Sequence, residues 1–186
     1  RIPLLGYIKI WFVEIFNKAK LQTMGAGGIL AVARGSDAEP YLIHLVYKPA
    51  TSNQKTRKLA LVGKGVTFDS GGLSLKEGEH IYDMKLDMAG AGAILGVFSV
   101  LGRLKPALEI HGIFPAVENI LSASSVKPGD VVKTLSGKTV EIVNTDAEGR
   151  VILADSLEYA SRQNPDKIID LATLTGACMV ALGERI

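Results

Sequence analysis

KLALVGKGVTFDSGGLSLK, residues 58–76, decides the fold class. Its opening LALVG is a nearly unbroken apolar run, which predicts a buried strand ending at Gly63. Lys64, Asp69 and Lys76 then arrive in a loop whose Gly65, Gly71 and Gly72 permit tight turns. A buried strand that runs into a charged, glycine-rich loop is the pattern of an α/β sheet, in which chemistry gathers at strand ends.

Outward from this stretch, the period of the apolar residues alternates between that of strands and that of helices. Upstream, Ile8, Trp11, Phe12, Ile15, Phe16 and Ala19 recur at helical spacing and predict an amphipathic helix over 8–24, ended by MGAGG. GILAVAR (28–34) and YLIHLVYK (41–48) read as strands. Downstream, residues 80–104 predict a long helix and KPALEIHGIFPAV (105–117) a return to strand. DVVKTL and KTVEIV flank Ser136-Gly137 as a hairpin, RVILADSLEYASRQ (150–163) has helical spacing, and KIIDLATL (167–174) resumes a buried strand. The expectation is an α/β domain with a mixed, mostly parallel sheet and helices on both faces.

Composition agrees with one globular domain. The chain has 186 residues, 47% hydrophobic and 22% charged, with Lys+Arg 21 against Asp+Glu 19. The charge is spread without a basic stripe, which argues against nucleic acid as a partner. The longest weakly polar stretch, AGAGAILGVFSVLG (89–102), falls short of the ~20 residues of a membrane span. The single Cys178 cannot form an internal disulfide, which suits a reducing, cytoplasmic setting, and its apolar neighbours predict a buried structural thiol.

Two further stretches carry charge where burial is expected. YDMKLDMAGAGA (82–93) sets Asp83 and Asp87 one helical turn apart, followed by small residues that allow close packing behind them. NTDAEGR (144–150) puts Asp146, Glu148 and Arg150 at alternate positions; an extended backbone would turn all three toward one spot. If Asp69, Asp87, Asp146 and Glu148 share a pocket, their four negative charges are cancelled by two divalent cations. Lys64 is then available as a neutral amine ligand once its ordinary pKa of ~10.4 has been lowered. Oxygen donors with one nitrogen suit Zn²⁺ or Mn²⁺, with Mg²⁺ and Co²⁺ as alternatives. The glycines match neither a phosphate loop nor a dinucleotide fingerprint. His44 and His111 fall mid-strand, as satisfied structural histidines do, and no nucleophile elbow accompanies them.

VGKGVTFDSGGLSLK, MKLDMAGAGA, NTDAEGRVILAD and DLATLTGA, in this order and at these separations, resemble the cytosol-type leucyl aminopeptidases over about residues 24–183. The resemblance implies a two-metal exopeptidase acting on peptides with a free N-terminus. It implies Lys64, Asp69, Asp87, Asp146 and Glu148 as metal ligands, with Asp69 and Glu148 bridging both ions. Lys76 and Arg150 match the catalytic cations, Arg150 holding a bicarbonate. Met84, Thr173, Leu174 and Gly176 match positions that line the substrate pocket. It also implies a cytoplasmic homo-hexamer.

Relatives have a separate N-terminal domain and more catalytic domain beyond LATLTG. The chain is therefore read as a helical connector remnant, 1–23, and a catalytic metallopeptidase domain, 24–186, truncated at its C-terminal end. Two other readings use the same acids. A non-catalytic truncated or oligomer-forming relative would retain the metal site but have no need of Lys76 and Arg150. A metallophosphatase would be expected to use more histidine ligands.

Overall fold

A computed structural model describes residues 12–50 and 56–183. A six-stranded mixed sheet runs in the order β1 (Phe12–Phe16), β2 (Tyr41–Tyr47), β5 (Glu109–Asn119), β3 (Lys58–Gly63), β8 (Lys167–Leu171), with β4 (Val66–Asp69) also paired to β5. The β1–β2 and β2–β5 pairs are antiparallel, while β3 runs parallel to both β5 and β8, and β4 parallel to β5. The helices are α1 (Lys18–Met24), α2 (Gly27–Val32), α3 (Ala89–Leu104), α4 (Glu148–Ser161) and α5 (Ala177–Leu182). A small hairpin pairs β6 (Val131–Lys133) with β7 (Thr139–Glu141).

Alternation along the strands sorts two cores. Leu61, Ile110 and Phe114 face α3, whose Ile94, Phe98 and Leu101 recur one turn apart on its inner stripe. Ala60, Val62, Ile113 and Val117 face the other way and pack with Ile152 and Tyr159 of α4 and Ile29 of α2. Apolar residues 78–104 would match a membrane span by length and composition. The regular helix inside that run is only the 16-residue α3, about 24 Å long, and its inner stripe is buried on the sheet.

β5 changes partner along its length, pairing with β3 through Ile113 and with β4 from Val117. The Val117 amide donates to the Gly65 carbonyl. By the alternation of the strand, the N–H that Pro115 lacks would point the same way, into the interval between the two partners, where no ladder is broken. That interval is where Lys64 leaves β3. Its backbone is fixed on both sides, since Lys64 N donates to Leu171 O (2.9 Å) and Lys64 O accepts from Ala91 N (2.9 Å). The small residues after Asp87 do allow α3 to approach closely: a Cβ on Gly90 would lie 2.0 Å from the Leu171 carbonyl oxygen.

Several sequence expectations are corrected. Residues 12–16 are a strand, not the first half of a helix; Asn17 caps α1 by accepting from Lys20 N, so the helix begins only at Lys18. The part of that expectation over 8–11 lies outside the described residues. GILAVAR is helical, because buried Asp155 of α4 accepts from Ile29 N (2.9 Å) at the start of α2. The other Asp155 oxygen accepts from Leu135 N (2.7 Å), so one carboxylate ties α4 to α2 and to the hairpin. The long helix expected over 80–104 is regular only from Ala89; residues 78–81 and 84–86 form 3₁₀ turns. Cys178 is exposed, not buried, because α5 leaves Met179, Val180 and Leu182 exposed as well.

His44 and His111, buried on the α4 side, belong to a polar chain through the core. Tyr159 Oη lies 3.1 Å from His44 Nδ1, His44 Nε2 lies 2.8 Å from His111 Nδ1, and His111 Nε2 lies 2.9 Å from Glu109 Oε1. A carboxylate only accepts, so His111 carries its proton on Nε2 and accepts at Nδ1. His44 must then donate from Nε2 and accept the Tyr159 hydroxyl at Nδ1. All donors point toward Glu109.

Burial, reinforced by His111, lowers His44 to about 4. His111 is also lowered by burial, against the pull of Glu109 and with small contributions from Lys58 and Lys48. A base held neutral in the fold and protonated in the unfolded chain stabilises fully above about 6.5. This contribution is lost as pH falls from there toward about 4. In denaturant titrations between pH 7 and 4 the wild type should lose stability relative to His44→Gln as pH falls, since both share the opposing gain from the raised Glu148 and Asp87. The difference should grow by up to one proton's slope of about 1.4 kcal/mol per pH unit.

Candidate metal centre

Three chain segments meet at the C-terminal ends of the parallel strands. β3 delivers Lys64, and β4 ends in Asp69, 2% exposed, followed by a turn that brings Lys76 back. The 3₁₀ turn 84–86 ends at Asp87, just before α3. Asn144 accepts from Asp146 N (2.8 Å) and starts a 3₁₀ turn over 145–147, so that Glu148 opens α4. NTDAEGR is thus not extended. Asp146 and Glu148 converge because the chain coils there, and Arg150, one half-turn further along α4, is exposed.

All the candidate ligand, catalytic and substrate-pocket residues border one cavity of about 660 Å³: Lys64, Asp69, Lys76, Met84, Asp87, Asp146, Glu148, Arg150, Thr173, Leu174 and Gly176. Asp83, the other acid of its pair, is exposed and outside it. Asn144, Cys178 and Met179 also border the cavity and were not anticipated. Asn144 could have been found as a helix cap before an acidic pair; nothing in the pattern marks the other two.

Charge is partly compensated in two groups, each with one lysine between two acids. Lys64 Nζ lies 2.7 Å from Asp87 Oδ1, 2.8 Å from Glu148 Oε1 and 2.9 Å from the Thr173 carbonyl. All three are acceptors, so in this arrangement Lys64 is an ammonium donor. Burial works against its charge, yet Glu148 and Asp87 outweigh burial and raise its pKa. Lys76 Nζ lies 3.0 Å from Asp69 Oδ2 and 2.6 Å from Asp146 Oδ1. It too is opposed by burial, but the Asp146 and Asp69 carboxylates beside it hold it at about 12. Burial pushes Glu148 up to about 7 against the pull of Lys64, and raises Asp87 as well. Gly149 makes the Lys64 contact possible, since a Cβ there would lie 2.8 Å from Lys64 Cε.

The donor set fits divalent cations. Four carboxylates face two ammonium groups, leaving two negative charges uncompensated in the cluster. Asp87 Oδ2 and Glu148 Oε2 are buried without a hydrogen-bond partner. Asp146 Oδ1 has the Lys76 charge beside it but no aligned hydrogen bond. Oxygens of Asp69, Asp146 and Glu148 lie within 4.8 Å of one another, close enough to share one ion.

A family profile described as "Cytosol aminopeptidase family, catalytic domain" matches residues 6–186. The chain is 52% identical over 171 residues to a probable cytosol aminopeptidase of Aquifex aeolicus (strain VF5), covering 92% of this chain and 34% of that protein. It is 55% identical over 175 residues to a probable cytosol aminopeptidase of Chlorobium limicola, covering 94% of this chain and 34% of that protein. The chain therefore spans about a third of the length of these curated relatives.

Lys64 is the cation between two buried acids, and its removal should be costly. With a chelator present, Lys64→Met is expected to lose about 3 kcal/mol or more at pH 8 in denaturant unfolding. The loss should shrink at pH 5, because Glu148, already raised to about 7, then takes up a proton instead of standing unpaired.

Proposed function

The chain belongs to the cytosol aminopeptidase family, and from that membership we propose that residues 24–186 form the catalytic unit of a two-metal aminopeptidase, with 1–23 leading into it. The substrates are peptides with a free N-terminus. The observation that carries this reading is the pair of buried, unpartnered carboxylate oxygens, Asp87 Oδ2 and Glu148 Oε2, in a cluster that is short of positive charge.

Lys64, Asp69, Asp87, Asp146 and Glu148 would hold the metals, Zn²⁺ or Mn²⁺ with Mg²⁺ and Co²⁺ as alternatives. When bound, they supply Lewis acidity and a water acidic enough to provide hydroxide near neutral pH. For Lys64 to be a ligand, its Nζ must give up one of the three protons it now directs at Asp87, Glu148 and the Thr173 carbonyl. The residues themselves do the rest. Lys76 keeps its charge at the cavity and donates to the oxygen that becomes negative as the scissile carbonyl is attacked. Arg150, exposed at the rim, offers a planar fork that matches bicarbonate. With the carboxylates engaged by two ions, a neutral α-amine would still have a lone pair to offer one of those ions, and an acylated N-terminus would not. Met84 and Leu174 provide apolar wall for the departing residue, beside Thr173 and Gly176. In the same reading the protein works in the cytoplasm as a homo-hexamer, which rests on the family resemblance.

Hydrolysis of leucine p-nitroanilide with Mn²⁺ or Zn²⁺ added is the direct test, beside the N-acetylated substrate. Cleavage of the free-amine substrate alone is expected; equal cleavage of both, or of neither, refutes the assignment. Lys76→Ala should lose at least ~100-fold in kcat while still taking up metal. Loss of metal in that variant would move Lys76 into the ligand set. A saturating divalent ion should also raise Tm, by an amount equivalent to about 2.7 kcal/mol at one hundred times Kd.

A further inference from the structure

Asn119, the last residue of β5, is 2% exposed and contributes no atom to the cavity wall. Its side-chain nitrogen donates to Asp69 Oδ1 (2.8 Å) and to the Thr145 carbonyl (3.0 Å). We propose that Asn119 is a positioning residue for the metal site, joining the Asp69 loop to the turn that carries Asp146 and Glu148. This rests on the two-metal reading above and assigns a role to a residue outside its ligand and catalytic sets.

The chemistry admits one orientation of the amide. Both neighbours, Asp69 Oδ1 and Thr145 O, are acceptors, so only the NH₂ end can face them; the reversed amide would set three oxygens against one another. Asp69 Oδ1 accepts a second hydrogen bond from Gly71 N (2.9 Å). With one oxygen held by two donors, the carboxylate cannot rotate, and Oδ2 is the oxygen turned to Lys76. The backbone of Asn119 is equally fixed, since its carbonyl accepts from Ser70 N (2.9 Å) and Ser70 Oγ (2.8 Å).

Hydroxyl groups stitch the same two segments together around this amide. Thr145 Oγ1 donates to Gly71 O (2.6 Å) and accepts from Ser74 N (2.7 Å), and Thr145 N donates to Ser74 Oγ (3.1 Å). Each of those bonds pairs a hydroxyl with a backbone group, and none reaches a candidate ligand's carboxylate. Among the hydrogen bonds of the described residues, those from Asn119 link a candidate ligand's own carboxylate to the opposite segment. Thr145 immediately precedes Asp146, so Asn119 sets how far Asp69 stands from Asp146 and Glu148. Metal–ligand distances tolerate only about ±0.2 Å, and partners that orient ligands typically account for 10–100-fold in metal affinity.

The test is titration of the whole chain with Zn²⁺ against a chelating indicator, for wild type, Asn119→Leu and Asn119→Ser, below the lowest Tm of the three. Leucine keeps the volume and removes both donors. Serine keeps one short donor that cannot span both acceptors. A 10–100-fold weaker Zn²⁺ affinity is expected for Asn119→Leu, with Asn119→Ser between it and wild type. On leucine p-nitroanilide at saturating metal, kcat should fall while KM stays. A lowered Tm with unchanged affinity and unchanged kcat would show a purely structural role and overturn the proposal, as would loss of folding in both variants. If Asn119→Leu alone fails to fold, Asn119→Ser decides: wild-type affinity in that variant overturns it. A wild-type chain that takes up no Zn²⁺ overturns the two-metal reading and this proposal together, which distinguishes that failure from the others.

Discussion

Carboxylates do not gather in a protein interior unless something positive gathers with them. Asp69, Asp87, Asp146 and Glu148 reach one cavity from three separate segments, and each segment is held by backbone bonds that do not involve the charges. The fold therefore imposes the proximity, and the two lysines answer it. Lys64 and Lys76 each sit between one acid from the β3–α3 region and one from the α4 entrance, so each lysine ties the two regions together. The cluster nevertheless stays two positive charges short, and the buried oxygens left without partners register that shortfall.

The supporting structure is built from groups with no chemistry of their own. Pro115 lies where β5 passes from β3 to β4, opening the interval through which Lys64 emerges. Gly149 leaves room for the Lys64 stem, and Gly90 lets α3 lie against Leu171. Asp155 locks α4 at a point two turns from Glu148 by accepting amides from two other elements. Glu148 is thus positioned from both ends of its helix's first half. Its carboxylate is stretched between Lys64 and the ion-poor centre, which is why burial and charge pull its pKa in opposite directions.

Much of this was legible in the residues, and the exceptions share a cause. LALVG reads as a buried strand because only a covered strand is apolar on both faces, and the glycine-rich loop after it can hardly be anything else. The acids of the site were legible because charges embedded in apolar or glycine-rich sequence must find partners. Local pattern failed where a single side-chain contact, distant or near, decided the conformation. GILAVAR has strand-forming composition, yet Asp155, 126 residues away, satisfies its amide and makes it helical. NTDAEGR alternates like a strand, but the Asn144 side chain turns the backbone into a coil. The apolar neighbours of Cys178 suggested burial, whereas α5 leaves them exposed. Asn119 lies just past the strand expected over 105–117, and nothing nearby in sequence reveals that its amide faces two acceptors.

The chain of hydrogen bonds from Tyr159 to Glu109 has a property that no single member possesses. Since Glu109 can only receive, it fixes the proton address on both imidazoles and on the phenol, up to three links away. A glutamine in its place could give as well as receive, and the whole row would then have two arrangements of similar merit. The carboxylate is what makes this seam of the core single-valued, a vectorial order built into an otherwise directionless hydrophobic interior.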